Sequence, residues 1–225
     1  MTKRMIVPLI FGCVGCAILI SLGTWQVQRL AWKEGILAEI AQEIAAPPVA
    51  LPAQADPETD RYLPVMLEGD FTGEELHVLF SIKNVGPGYR VIALFNTKDG
   101  RRVLVDRGFA FTNEKDLNRS ADNVSLIGNL HWPNEIDSFT PEPDIEGNIW
   151  FARDLPAMAE ELGAEPLLIV ARSETPRTPG VSPVPVTPTG IPNDHLQYAI
   201  TWFLLAIAWA GMTAYLLWRI RQRTV

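Results

Sequence analysis

Asn193-Asp-His-Leu-Gln-Tyr-Ala-Ile-Thr-Trp-Phe203 is the stretch that decides the fold, because a proline-rich polar segment becomes an apolar helix there. His195, Tyr198 and Trp202 follow the spacing i, i+3, i+7, so a helix places them on one face. That face lies at the rim of a predicted membrane span, where a titratable imidazole indicates a functional site. The alternative is that Asn193, Asp194 and His195 cap the helix in the headgroup layer.

Two apolar runs flank the middle of the chain. The first, Met5–Trp25, contains no charged residue, and the second covers Leu196–Trp218. At about 1.5 Å per residue, each run can cross the roughly 30 Å of hydrocarbon in a bilayer. We therefore predict transmembrane helices at 5–25 and 196–218. The intervening chain is long enough to bury a core of its own.

Charge is segregated along the chain. The region Glu34–Asp194 holds all 26 acidic residues and 12 of the 19 basic residues, so it carries a net charge of −14. Such an acidic domain is not expected to bind nucleic acid.

The arginines after the second span set the predicted orientation. They stand at 219, 221 and 223, and by the positive-inside rule they place both termini in the cytoplasm and the middle domain in the periplasm. Arg29 and Lys33 after the first span oppose this orientation. Only four residues precede the first span, too few for a mitochondrial presequence, which indicates either a bacterial inner (plasma) membrane protein or a chain that is already processed; we predict the bacterial membrane.

The exit of the first span places Trp25, Arg29 and Trp32 on one helix face at i, i+4, i+7. Tryptophans and a snorkelling arginine are typical of a membrane interface. The alternative is an arginine held between aromatic rings to bind an anionic group, since its guanidinium suits carboxylates.

The middle of the chain predicts mostly strands. A helical extension is predicted at 26–46, a β-rich domain at 60–174 and a stiff proline-rich linker at 175–192. One short helix fits Leu155–Leu162, with Asp154 as its N-cap. The predicted strands are Leu63–Phe71, Leu76–Ile82, Tyr89–Asn96, Arg102–Phe111, Ser125–Trp132, Asn148–Arg153 and Leu167–Arg172. The predicted fold is therefore an α+β membrane protein whose two transmembrane helices flank a mostly antiparallel, partial-barrel-like sheet with little further helix.

Few residues suggest catalysis. Cys13 and Cys16 form a C-x-x-C motif, but within an apolar span they are better explained as small residues on a packing face with Gly12 and Gly15. His77 and His131 lie in predicted strands without metal-ligand spacing, and we interpret each as a surface or half-buried histidine. We therefore predict a protein that is not an enzyme.

Four motifs together resemble one known family. Leu22-Gly-Thr-Trp-Gln-Val-Gln-Arg-Leu-Ala-Trp-Lys33, Gly88-Tyr-Arg-Val91, Val105-Asp-Arg-Gly-Phe109 and Asn193–Phe203 are similar, in order and spacing, to motifs of the surfeit-locus (Surf-one, or Shy-one) family of cytochrome oxidase assembly factors. Phe109 stands where the family more often has tryptophan, and Ala110-Phe111 departs from the family's usual continuation with proline.

The resemblance implies a role in the maturation of haem–copper oxidases. Bacterial family members are thought to bind haem a and pass it to oxidase subunit I, which makes His195 the expected axial ligand of the haem iron. From helical facing we add Tyr198, Trp202, Trp25 and Arg29 to the expected pocket, with Arg29 meeting the propionates. Expected partners are cytochrome c oxidase subunit I, other assembly factors, membrane lipid and, as a further candidate, haem a synthase. The alternative is an assembly adaptor that docks on nascent oxidase subunits without binding haem itself.

Overall fold

A computed structural model describes residues 3–188 and 192–222. Two compact units are formed, one from the described parts of Met1–Glu39 and Pro188–Val225, the other from Ile40–Thr187. The predicted linker at 175–192 includes residues 189–191, and the predicted orientation uses Arg223; these positions lie outside the described residues. The elements are α1 (Lys3–Ala45), β1 (Val49–Ala50), β2 (Pro64–Ile82), β3 (Gly86–Thr97), β4 (Arg102–Phe111), a 3-10 turn (Thr112–Glu114), β5 (Ala121–His131), α2 (Leu155–Glu161), β6 (Leu168–Thr175) and α3 (His195–Gln222).

Two long helices carry the apolar runs. Met5–Ala45 within α1 and His195–Gln222, which is α3, are long and apolar enough to cross a membrane. One continuous helix therefore covers the predicted span 5–25 and the predicted extension as far as Ala45. Pro47 and Pro48 follow, and a proline disfavours helical backbone in the residue before it.

The C-terminal end of α1 is held by side chains of the sheet unit. The carbonyl of Ile44 accepts hydrogen bonds from Asn129 Nδ2 at 3.0 Å and from an Arg172 guanidinium nitrogen at 3.2 Å. The last carbonyls of a helix lack intrahelical partners, and a cation there also interacts favourably with the helix dipole. Asn129 and Arg172 therefore cap this helix.

The described strands form one mixed six-stranded sheet in the order β1-β2-β3-β4-β6-β5. The pairs β1–β2 and β4–β6 are parallel, and the other pairs are antiparallel. Because β2 also pairs with β5, the strands from β2 to β6 pair in a closed cycle. The prediction of a mostly antiparallel sheet missed the two parallel pairs. Two apolar helices that flank such a sheet are consistent with a membrane protein.

The largest differences between the predicted and the observed strands are at two places. The predicted strands Leu63–Phe71 and Leu76–Ile82 are one strand, β2, because the chain continues through a bulge between Phe71 and Glu75. Gly73 occupies this bulge with a φ of +90°, which glycine adopts without steric cost. The predicted strand Asn148–Arg153 is wrong: within it, Ile149 and Trp150 form only isolated bridges.

Apolar side chains bury both faces of the central strands. One cluster contains Phe71, Phe95, Val105, Leu126 and Ile169 on one face. A second cluster packs Ile92, Leu104 and Leu168 on the other face beneath Trp150 and the helix α2. Alternate residues of β4 and β6 therefore enter different clusters, which follows from the two-residue period of a strand. Asp154 caps α2 as predicted, since its Oδ1 accepts the Ala157 N–H at 3.3 Å.

Candidate functional site

Helices α1 and α3 pack against each other through small residues of α1. A Cβ atom added at Gly15 would lie 2.2 Å from Trp209 Nε1, and one at Gly12 would lie 2.2 Å from Thr213. Gly23 is similarly close to the ring of Phe203. Helices in membranes approach closely where small residues replace bulky ones. We call this contact line the helix seam.

The two cysteines take different positions relative to the helix seam. Cys16 belongs to it, with its Sγ 3.9 Å from the carbonyl oxygen of Ala206. Cys13 is exposed, so the interpretation that both cysteines lie on the packing face is correct for Cys16 only. Within residues 3–188 and 192–222, no group of three or more His, Cys, Asp or Glu residues could hold a metal ion.

His195 is the first residue of α3 and lies at the end of the helix seam. Its Nδ1 is 2.8 Å from Oε1 of Gln26 on α1, and the imidazole is half-buried. An amide oxygen accepts hydrogen bonds, so Nδ1 carries the proton and donates it to Gln26. The lone pair of the neutral ring is then on Nε2, and among the described residues no hydrogen bond engages that atom. Such a nitrogen can bind a metal ion or a haem iron.

The other predicted pocket residues are only partly brought to His195. Trp202 is half-buried and lies two turns along α3. Tyr198 and Trp25 are more exposed, at 55% and 54%. On α1, it is Gln26 that contacts His195, because Trp25 is turned about 100° from Gln26 around the helix. The prediction therefore missed Gln26, although its polarity at the rim of a span and its position about one turn after the small residue Gly23 were visible in the sequence.

Two cationic residues of α1, Arg29 and Lys33, lie beyond Gln26. The guanidinium of Arg29 is stacked over the ring of Trp32, 3.7 Å from its centroid. The ammonium of Lys33 donates a hydrogen bond to the carbonyl of Pro192, just before α3. Arg29 is exposed, and the described contacts include no hydrogen bond between it and His195.

The sheet unit contains a buried network of charges that sequence reasoning missed. Asp106 on β4 is fully buried and pairs with Arg90 and with Arg153, the latter at 3.0 Å. Arg153 also pairs with Glu135. These interactions raise the pKa of Arg153 and lower that of Glu135. Burial alone would raise the pKa of Glu135, but its hydrogen bonds with Arg153 lower it.

The opposite face of β4 carries a second set of ion pairs. Arg107 is 1% exposed and donates to both carboxylate oxygens of Glu174, at 3.0 and 3.1 Å from one terminal nitrogen. Its guanidinium is 3.8 Å from the ring centroid of Phe71. Arg119, also 1% exposed, pairs with Glu75 at 2.5 Å. The motifs Gly88–Val91 and Val105–Phe109 therefore place their charged side chains inside the fold, where they fix strand neighbours.

Of the two histidines of the sheet unit, His131 agrees with the prediction and His77 does not. His77 is 5% exposed and lies 3.0 Å from Glu75, so the interpretation as a surface or half-buried residue is wrong for it. His131 is half-buried and stacks on Tyr62, with 5.9 Å between ring centroids. Burial, assisted by the charge of Arg153, lowers the pKa of His131 to about 4.

Comparison with known proteins places this arrangement in a family. A model of the SURF1 family matches residues 13–207, a range that includes Gln26, His195 and the whole sheet. Surfeit locus protein 1 of Rattus norvegicus is 33% identical over 88% of this chain and 70% of its own length. The human protein of the same name is 34% identical over 83% of this chain and 70% of its own length. The SURF1-like protein of Rickettsia felis is 30% identical over 85% of this chain and 88% of its own length. The chain belongs to the SURF1 family.

Proposed function

We propose that this protein is a cytochrome c oxidase biogenesis factor that binds haem a and assists its insertion into oxidase subunit I. Membership of the SURF1 family supports the role in oxidase assembly. The more specific part, haem a as cargo, rests on His195 and its contact with Gln26.

The hydrogen bond between His195 Nδ1 and Gln26 Oε1, 2.8 Å long, is the observation that carries this proposal. A histidine that ligates a metal almost always donates its other ring N–H to a carbonyl or carboxylate oxygen, which fixes the tautomer and orients the ring. Gln26 supplies that oxygen. Nε2 is thereby held as the atom that ligates the haem iron.

The neighbouring residues have proposed supporting roles. In this proposal Trp202, two turns along α3 from His195, contributes an apolar surface to the haem, and the exposed side chains of Tyr198 and Trp25 extend that surface. Arg29 offers guanidinium donors to the haem propionates. One protein ligand at a partly exposed position suits a carrier, because the cargo must leave for subunit I. No residue of this set needs to perform a chemical conversion, so the proposed protein is a chaperone and not an enzyme.

The proposed location is a bacterial inner membrane. In this proposal α1 and α3 span the bilayer, both termini are cytoplasmic, and the sheet unit lies in the periplasm, where oxidase subunit I, other assembly factors and haem a synthase are candidate partners. The arginines at 219 and 221 in the last turn of α3 support this orientation. The closed cycle of pairings from β2 to β6 supports a partial-barrel form of the sheet.

The test is the haem a content of protein purified from a host that makes haem a. Wild type is expected to contain haem a, and His195→Ala is expected to lose most of it. His131→Ala is the matched control, because it removes an imidazole from the sheet unit and leaves that of α3 intact. Equal haem content in wild type and His195→Ala would contradict the proposal.

The second candidate is an assembly adaptor that docks on oxidase subunits without haem. It is favoured by the sheet unit, which has its own core and lies in the acidic part of the chain. It predicts that co-purification with oxidase subunits survives His195→Ala and that the purified protein contains no haem a.

A further inference from the structure

A groove of about 300 Å³ runs along one side of the helix seam, between α1 and α3. Cavities that hold small molecules begin at about this volume. The groove belongs to the same compact unit as His195. Both helices contribute to its lining, which consists of Cys16, Ile20, Phe203, Ala206, Ile207 and Ala210.

The groove is apolar along its whole length. No charged residue is part of its lining. The one polar side-chain atom in the lining, Sγ of Cys16, lies 3.9 Å from the carbonyl oxygen of Ala206 and donates to it. Cys16 and Ile20 belong to the uncharged run Met5–Trp25, so in a bilayer the groove opens towards hydrocarbon. Its occupant is therefore an apolar chain without hydrogen-bonding groups of its own.

The groove lies on the face of α3 that carries His195. Its first residue, Phe203, stands about 12 Å along the helix axis from His195, and its last, Ala210, about 22 Å. At about 100° per residue, Phe203, Ala206 and Ala210 lie within about 80° of His195 around the helix. A ligand held at His195 can therefore extend along this face of α3 into the groove.

On α1, the groove and Arg29 lie on opposite sides of Gln26. At about 100° per residue, Cys16 and Ile20 are about 80° and 120° to one side, and Arg29 is about 60° to the other. Haem a has a matching asymmetry, because its propionates and its long hydroxyethylfarnesyl chain leave the porphyrin at opposite edges. A haem whose propionates reach Arg29 therefore directs this chain towards the side of the groove.

Lipid acyl chains compete for such a groove. They are as apolar as its lining, so transfer of a chain from lipid provides no hydrophobic driving force. The chain of haem a has a different advantage: once His195 holds the iron, the chain is tethered beside the groove at a high effective concentration. Dispersion contacts with Phe203, Ile207 and Ile20 then favour the bound chain.

We propose that this groove binds the hydroxyethylfarnesyl chain of haem a. The proposal rests on the proposed function, because His195 must hold the iron. It makes the groove the element that selects the haem: a haem with the chain gains both the bond to His195 and the groove contacts. Haem b, which has a vinyl group in place of the chain, gains the bond to His195 alone.

The test compares haem o with haem b, which differ only in this chain. Each is titrated by absorbance into the full-length protein in one detergent. Wild type is expected to bind haem o roughly 10-fold more tightly than haem b. Ala210→Phe fills the groove from an exposed position and is expected to remove this advantage while haem b binding is unchanged. Ala208→Phe is the matched control, because Ala208 is exposed on α3 and does not line the groove.

Ile207→Ala is a second variant, which removes part of the groove wall without adding bulk. It is expected to weaken haem o binding roughly threefold and to leave haem b binding unchanged, which separates loss of groove contacts from misfolding. Equal effects on haem o and haem b in both groove variants would overturn the groove assignment, and His195 would remain the haem ligand. Equal haem o affinity in Ala210→Phe and Ala208→Phe would also overturn it, as expected for a groove that holds only lipid or detergent. If wild type bound neither haem, the haem site at His195 and the groove assignment would both be overturned.

Discussion

His195 Nδ1 lies 2.8 Å from Gln26 Oε1, and this contact joins the first turn of α3 to α1. The contact is specific in a way that apolar packing is not, because it selects one tautomer of the imidazole. It also places a polar pair at the end of the helix seam, where glycines of α1 pack against Phe203, Trp209 and Thr213 of α3. The proposed ligand is therefore oriented by a residue that helical facing alone did not identify.

Removal of the Gln26 acceptor is expected to weaken haem a binding. Gln26→Leu leaves Nδ1 without its oxygen, so the tautomer and ring orientation are no longer fixed, and an affinity loss of roughly 10- to 100-fold is expected. Gln28→Leu is the matched control, since Gln28 is exposed on the same helix. The measurement is a haem a titration of detergent-purified protein, followed by absorbance. Equal dissociation constants for the two variants would contradict the positioning role of Gln26.

A bulky residue in the helix seam is expected to destabilise the helical unit. Gly15→Leu brings a side chain against Trp209, where even a Cβ atom would lie 2.2 Å from Nε1. Overpacking of this kind costs about 1–3 kcal/mol. Gly211→Leu on α3 is the control, because no atom lies within 4 Å of a Cβ added there. Thermal unfolding in detergent should show a lower midpoint for Gly15→Leu; identical midpoints would argue against the close packing of α1 on α3.

Loss of a buried charge in the sheet is expected to be severe. Arg107→Met leaves Glu174, which is 5% exposed, without its bidentate partner, and about 3–5 kcal/mol of unfolding free energy should be lost. Lys98→Met, which breaks the exposed pair with Glu68, should have little effect. Chemical denaturation in detergent, followed by the circular dichroism of the sheet, distinguishes the two. Comparable losses would show that Arg107 is not held as described.

The sheet unit is expected to lose stability on mild acidification because of His131. Burial, together with Arg153, holds its folded pKa at about 4, below the ordinary value of 6.5. The unfolded chain therefore binds a proton that the folded chain does not, so stability is fully present above pH 6.5 and falls as the pH is lowered towards 4. With solvent screening considered, the loss is on the order of 2 kcal/mol.

His131→Gln tests this assignment. Denaturation midpoints at pH 7 and pH 5 should differ less in the variant than in wild type. If wild type and His131→Gln showed the same difference, another group would be responsible for the acid sensitivity.

Local sequence patterns predicted most of the secondary structure. The prolines at 47 and 48 mark the end of α1, and Lys98-Asp99-Gly100 marks a hairpin turn in which Gly100 has a φ of +88°. The parallel pairing of β4 with β6 could not be predicted in this way, because it depends on contacts between residues such as Leu104 and Leu168. No local period encodes which strands become neighbours.

The buried ion pairs could not be predicted from the sequence for a related reason. Arg107 and Arg119 are charged residues near turns or in strands, and composition assigns such residues to the surface. Their partners, Glu174 and Glu75, are 67 and 44 residues away in sequence, so the pairing exists only in the folded chain. One signal was available in the sequence: Asp106-Arg107 interrupts an otherwise apolar run between Val103 and Phe111.

The absorption spectrum of purified protein to which haem a is added tests the central claim most directly. The account predicts that wild type shifts the haem spectrum to that of a histidine-ligated haem, that His195→Gly does not, and that added imidazole restores the shift in His195→Gly by replacing the missing ligand. The same histidine-ligated spectrum in His195→Gly without imidazole, or an unchanged haem spectrum in wild type, would contradict it.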